Sequence, residues 1–210
     1  MGIFDHQDPL AALCWRGHSI RGPWLRGHLT SEVDIVAQLI LYACPQGHLG
    51  EQVERFFEES RRRFGANAAH AYMPHCSLTG FFDGDSDLIA EHSQILDGRF
   101  SHQKSGCPVH SIEVLGFGHR HDWHGLELRS PWQLDRMHEL TRKSAASIRV
   151  KTWQHLSLAY DFRPEYDAAL GRLAREIIDP GAAVAWELRF YQRTSDSGWI
   201  CHRAWPLPGT

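Results

Sequence analysis

Two four-residue stretches of this chain carry the same chemistry, His75-Cys76-Ser77-Leu78 and His155-Leu156-Ser157-Leu158, 80 residues apart. The chain has 15 His, 15 Ser and 21 Leu. At that composition a shuffled sequence would hold H-x-S-L about 0.1 times, so two copies in similar contexts are a signal. Both lie in apolar stretches that read as strands. Alternation along a strand turns His75 and Ser77 to one face and Cys76 and Leu78 to the other, and it treats His155 and Ser157 in the same way. Residues two apart on a strand are roughly 6.5 to 7 Å apart, so an imidazole and a hydroxyl can reach one small anion together. Two histidines with reference pKa near 6.5 can share acid–base work, one taking a proton from water and the other giving one to a leaving oxygen. The serine hydroxyls can donate to non-bridging phosphate oxygens and hold charge that grows in the transition state. If the two strands meet face to face around one anion, this is the equipment of phosphoester hydrolysis. Cys76 alternates away from that face and reads as packing, not as a nucleophile.

Neighbouring residues add to the set. Trp153 precedes His155 by two and shares its face, which suits either stacking on a base or packing in the core. His119, His121 and His124 could bind a divalent metal, but only Asp122 stands by to complete a site, so they read as a solvated polar turn and no metal is expected. Arg61, Arg62 and Arg63 end a helix and complement its dipole.

The elements that must position these residues follow from periodicity. Residues 35–42 form a buried strand closed by Pro45 and Gly47. A helix over 50–64 places Val53, Phe56, Phe57 and Phe64 on one stripe and stops at Gly65. Residues 72–82 form a second strand, and 85–96 a helix capped by Asp85 or Ser86. Strands over 109–117 and 124–128 flank the polar segment 118–123. Ser130-Pro131 opens a helix to about Lys143. A strand over 153–162, a helix over 164–178 and a strand pair over 183–192 and 199–205 complete the chain. Helices and strands alternate in two similar passes, which points to an internal repeat.

Composition sets the limits. The 210 residues are 42% hydrophobic and 22% charged, which makes one ordinary globular domain over 33–210, preceded by an irregular arm over 1–32. Lys plus Arg number 22 against 25 for Asp plus Glu, so no cation excess is available to hold a long duplex. The longest apolar run, Val33 to Cys44, contains Asp34 and Gln38 and is too short to span a bilayer, so no membrane partner is expected. The opening residues lack the order of a secretory signal, which gives an expected cytoplasmic location. Five cysteines, widely spaced and without C-x-x-C, indicate neither a disulfide framework nor a zinc–thiolate site.

The paired H-x-S-L strands resemble the two-histidine (2H) phosphoesterase superfamily. Pro74-His75-Cys76-Ser77-Leu78-Thr79-Gly80-Phe81-Phe82, Val114-Leu115-Gly116-Phe117 and His155-Leu156-Ser157-Leu158-Ala159 are similar to the phosphoesterase domain of the TULA proteins, as is Leu173-Ala174-Arg175-Glu176-Ile177. The resemblance covers roughly residues 35–207. It implies an α+β bilobal fold, with two pseudo-symmetric antiparallel sheets lining a central cleft and helices outside. It also implies metal-independent hydrolysis of 2′,3′-cyclic nucleotides without a cofactor, with His75, Ser77, His155 and Ser157 catalytic or phosphate-binding. Tyr191-Gln192-Arg193 resembles a Tyr-x-Arg stretch of that domain and implies Tyr191 and Arg193 in the cleft. Serine replaces the commoner threonine in both motifs, keeping the hydroxyl and losing a stiff rotamer. The expected partner is a small nucleotide or a short RNA end. Two other readings stay open: a 2′,5′ phosphodiesterase or ligase acting on longer RNA ends, and a nucleotide-binding module without turnover.

Overall fold

The computed structural model describes residues 37–100, 112–144, 146–194 and 198–207, so the arm expected over 1–32 lies outside the described residues. The elements in chain order are β1 (Ala37–Gln46), α1 (His48–Phe64), β2 (Cys76–Ser77), β3 (Phe82–Gly84), α2 (Ser86–Phe100), β4 (Glu113–Arg120), β5 (Trp123–Arg129), α3 (Pro131–Lys143), β6 (His155–Tyr160), α4 (Asp167–Ile177), β7 (Ala185–Arg193) and β8 (Trp199–Leu207). The fold is α+β. Among the described residues no helix is long and apolar enough to cross a membrane.

All eight strands join one antiparallel sheet in the order β4-β5-β6-β2-β1-β7-β8, with β3 also on β1. This corrects the expectation of two sheets. The two-residue strand β2 pairs with β1 on one side and with β6 on the other, through Cys76 and Leu156, and so joins what would otherwise be separate halves.

Alternation divides the sheet into two faces. Leu39, Leu41 and Ala43 of β1, Cys76, Leu78, Leu126, Leu156, Leu158, Leu188 and Phe190 pack with Val53 and Phe56 of α1, Met137 and Leu140 of α3, and Leu170 and Leu173 of α4. The intervening β1 residues Ile40, Tyr42 and Cys44 enter a second, smaller cluster with Tyr191. Burial on both faces explains why residues 39–44 of β1 read as an unbroken apolar run. Gly65, with φ of 82°, ends α1 where its N–H donates to the Arg61 carbonyl at 3.0 Å. Asp85 caps α2 by accepting from the Leu88 N–H at 2.8 Å.

Two local expectations change. The strand expected over 72–82 is broken, because the chain switches partners within it: Gly80 N–H donates to the Arg149 carbonyl, Lys151 N–H donates to the Leu78 carbonyl, and only then does β3 rejoin β1. The polar segment 118–123 is mostly strand, since β4 and β5 pair as far as Arg120 and Trp123 and leave only His121 and Asp122 in the turn. Its polarity misleads because both faces of this hairpin have polar work, His119 and His124 on one and Arg120 on the other.

One rung of the hairpin is bare: Gly118 pairs with Gly125. A Cβ on Gly118 would stand 2.7 Å from the Trp123 ring, and one on Gly125 would overlap both that indole and the Leu156 carbonyl. The Trp123 ring lies across this gap. Gly125→Ala is therefore expected to destabilise the protein by about 1–3 kcal/mol, because a backbone oxygen cannot yield as a flexible side chain would. Urea unfolding midpoints with an unchanged slope will measure it.

Candidate functional site

The face of the sheet opposite the large core carries a cleft of about 530 Å³. His75, Ser77, His155 and Ser157 all line it. Cys76 faces the core, 1% exposed, and burial pushes its thiol up to about 12, so it is no nucleophile.

The strands bearing the motifs lie side by side within the sheet, not face to face as expected. Cys76 pairs antiparallel with Leu156. Carrying that register one residue each way sets His75 opposite Ser157 and Ser77 opposite His155. The local two-fold of an antiparallel pair then relates one motif to the other. Opposed residues on such strands sit about 4.5–5.5 Å apart and diagonal ones about 7–8 Å, so the four side chains frame a patch the size of one phosphoryl group.

Aromatic rings back each imidazole. Under His75 lie Tyr42, at 3.9 Å between ring centres, and Tyr72 at 5.5 Å. Around His155 lie Trp153, stacked at 3.8 Å, and Trp123, edge-on at 5.3 Å. These rings exclude water from one side of each imidazole, and desolvation pushes both histidines down to about 4. For His75 the Met73 carbonyl works in the opposite direction and the charge of His155 adds to the fall. For His155 the Trp153 carbonyl opposes the fall while Lys151 and Arg120 deepen it. Met73 and Trp153 hold the same place in the two motifs.

The hydrogen bonds distinguish the two halves. His75 Nδ1 donates to the Met73 carbonyl at 2.7 Å, which leaves the Nε2 lone pair available. His155 Nδ1 is buried and makes no hydrogen bond of regular geometry. Trp123 Nε1 donates to Ser157 Oγ at 2.9 Å, so the serine keeps its own proton to donate.

Among the described residues, Arg120, Arg149 and Lys151 line the cleft together with one acid, Asp122. Arg149 lies against Gly80, where a Cβ would be 3.1 Å from its Nε. Arg120 holds its guanidinium carbon 3.9 Å from the centre of the Trp153 ring. His155 and Arg120 both come within 4 Å of the centre of the Trp153 ring, which supports His155 and stays 38% exposed at the cleft.

Two sequence candidates fall elsewhere. Tyr191 does not line the cleft: it is 2% exposed, covered by the rings of Tyr42 at 5.8 Å and Trp199 at 5.9 Å, and accepts a hydrogen bond from Arg189. Arg193 sits at the rim, 5.9 Å from the Phe81 ring. Sequence reasoning missed Tyr42, Trp123, Arg120, Arg149 and Lys151. The glycine pair at 118 and 125 is the signal that could have located Trp123.

Comparison with known proteins gives relatives over much of the chain. It is 36% identical over 101 residues to the ecdysteroid-phosphate phosphatase of Drosophila melanogaster, covering 46% of this chain and 13% of that protein. It is 28% identical over 181 residues to ubiquitin-associated and SH3 domain-containing protein A of Mus musculus, covering 81% and 28%. It is 26% identical over 204 residues to the ecdysteroid-phosphate phosphatase of Bombyx mori, covering 90% and 30%. No family model matches the chain. The chain spans less than a third of the length of these three relatives.

Proposed function

We propose that the cleft hydrolyses 2′,3′-cyclic phosphodiesters, on nucleotides or short RNA ends, to phosphomonoesters, with His75 and His155 as paired base and acid and no metal in the reaction. The observation that carries this reading is the meeting of the two His-x-Ser pairs in one cation-lined cleft. The phosphatase names of two relatives and the resemblance to the two-histidine phosphoesterases favour the same class of reaction. In this reading the halves on either side of the Cys76–Leu156 pair act as two lobes.

Water attacks phosphorus and gives its proton to His75 Nε2, whose lone pair is left available by the bond from Nδ1 to Met73. One phosphorus–oxygen bond forms, the bond to one ring oxygen breaks, and that oxygen takes a proton from protonated His155. Solvent then restores both histidines. Ser77 and Ser157 donate to the non-bridging oxygens, and Arg120, Arg149 and Lys151 offset the charge that collects there.

The test is product identification from a panel of 2′,3′- and 3′,5′-cyclic nucleotides under EDTA. Turnover confined to the 2′,3′ isomers is expected. No turnover, or equal turnover of both isomers, sinks the proposal, and binding without product would make this a nucleotide-binding module. With three cations lining the cleft among the described residues, KM should depend weakly on salt; a steep rise would favour longer RNA substrates.

A further inference from the structure

Away from the cleft, His119, His124 and Asp167 bring two imidazole nitrogens and one carboxylate oxygen together, each within 4.8 Å of the others. Strands β4 and β5 pair His119 directly with His124, so both rings leave the hairpin on the same face and stack at 4.6 Å. Both Nε2 atoms reach one oxygen, Asp167 Oδ1 at the start of α4, His119 at 3.1 Å and His124 at 2.8 Å. The convergence is held from outside. His124 stacks on Phe162 at 5.4 Å, and Gly171, one turn beyond Asp167, leaves the space its ring occupies, since a Cβ there would be 3.1 Å from His124 Cε1. A structural ion pair needs one histidine; here two are directed at the same atom.

We propose that His119, His124 and Asp167 form a binding site for a divalent transition ion such as Zn²⁺, tying the β4–β5 hairpin to α4. Zinc takes imidazole nitrogen and carboxylate oxygen at about 2.0–2.2 Å, which places tetrahedral ligand atoms about 3.3 Å apart, a few tenths of an ångström from the spacings the carboxylate already has. Each imidazole need only carry its proton on Nδ1, freeing the Nε2 lone pair for the metal. With three protein ligands the fourth position is open to water, so the ion is exchangeable. The carboxylate stands 43 residues beyond His124, where no local pattern ties it to the hairpin.

The site faces away from the proposed chemistry but shares its scaffold. The rung next to His119–His124 is Arg120–Trp123, whose side chains point to the opposite face and line the cleft. Metal binding and diester hydrolysis are therefore independent, and either can be absent without the other.

Zn²⁺ titrated into the untagged full chain, by calorimetry and by competition with a chromophoric chelator, should show one tight equivalent. Co²⁺ should give the intense visible absorption of a tetrahedral N/O site. His119→Ala and Asp167→Asn, both at accessible positions, should each weaken Zn²⁺ binding at least 100-fold while keeping the far-ultraviolet dichroism of the parent, and His121→Ala should bind as the parent does. Excess Zn²⁺ should raise the thermal midpoint of the parent by several degrees and leave His119→Ala unmoved. Absence of a stoichiometric site, or parental affinity in either His119→Ala or Asp167→Asn, overturns the proposal.

Discussion

Replacing either cleft histidine should abolish most turnover: His75→Ala and His155→Ala are each expected to lower kcat on a 2′,3′-cyclic nucleotide by about 10²–10⁴-fold, the usual worth of a positioned acid or base. KM should move much less, because Ser77, Ser157 and the cations of the cleft remain. The double variant should be little worse than the poorer single one, since acid and base act on the same transition state and their losses do not multiply. The imidazoles are part-buried and line the cleft and not the core, so the variants should fold, which dichroism will check. Parental kcat in both single variants would remove the histidines from the reaction.

The second large effect is on pH dependence. Desolvation holds both histidines near 4 in the free protein. One of them must nonetheless be protonated to act as the acid. The protonated fraction falls about tenfold per unit above its pKa, and kcat/KM reports the free protein, so kcat/KM should drop by about 10³ between pH 5 and pH 8. Bound phosphodiester, an anion beside the imidazoles, favours the protonated form. The kcat profile should therefore peak at higher pH than that of kcat/KM. Lys151 and Arg120 act on His155, His155 acts on His75, Tyr42 and Tyr72 pack on His75, and Asp122, Arg149 and Tyr160 also line the cleft. A kcat/KM flat from pH 5 to 8 would show that neither ring acts as a proton donor with a depressed pKa.

Stability should run the other way. In the unfolded chain these histidines titrate near 6.5, while the folded protein keeps them neutral down to about 4. Below 6.5 the unfolded state binds more protons, so stability is full above that pH and declines as pH falls towards 4. His70, His92, His124 and His202 are lowered by burial as well and steepen the same slope. Urea midpoints at pH 8 and pH 5 should show the fall, and His75→Ala/His155→Ala should show a shallower one.

The parts of the site that were legible in the sequence are those that rest on alternation. A His-x-Ser pair with apolar residues between it declares one solvent face and one core face, whatever the strand is next to. What a strand lies beside is long-range information, and there the reading failed: edge-to-edge pairing through Cys76 and Leu156 replaced the expected opposition of two sheets. Arg149 and Lys151 carry no periodic signal because the segment that presents them is only a short bridge to Leu78 and Gly80. Trp123 was hidden by its charged neighbours, although the glycines beneath it mark its place. Tyr191 illustrates the converse: it points to the cleft side of the sheet, but a layer of rings lies over it, and burial by neighbours cannot be read from a local pattern.

Because the two motifs lie on neighbouring strands of one sheet, paired across Cys76 and Leu156, the bite between them is gauged by main-chain spacing, not by side-chain packing. No exchange of side chains can spread it to admit a bulkier reacting group. Any divergence in what such a protein accepts must therefore take place at the margins, at Arg149, Lys151, Phe81 and Trp153, while the jaw itself keeps its width.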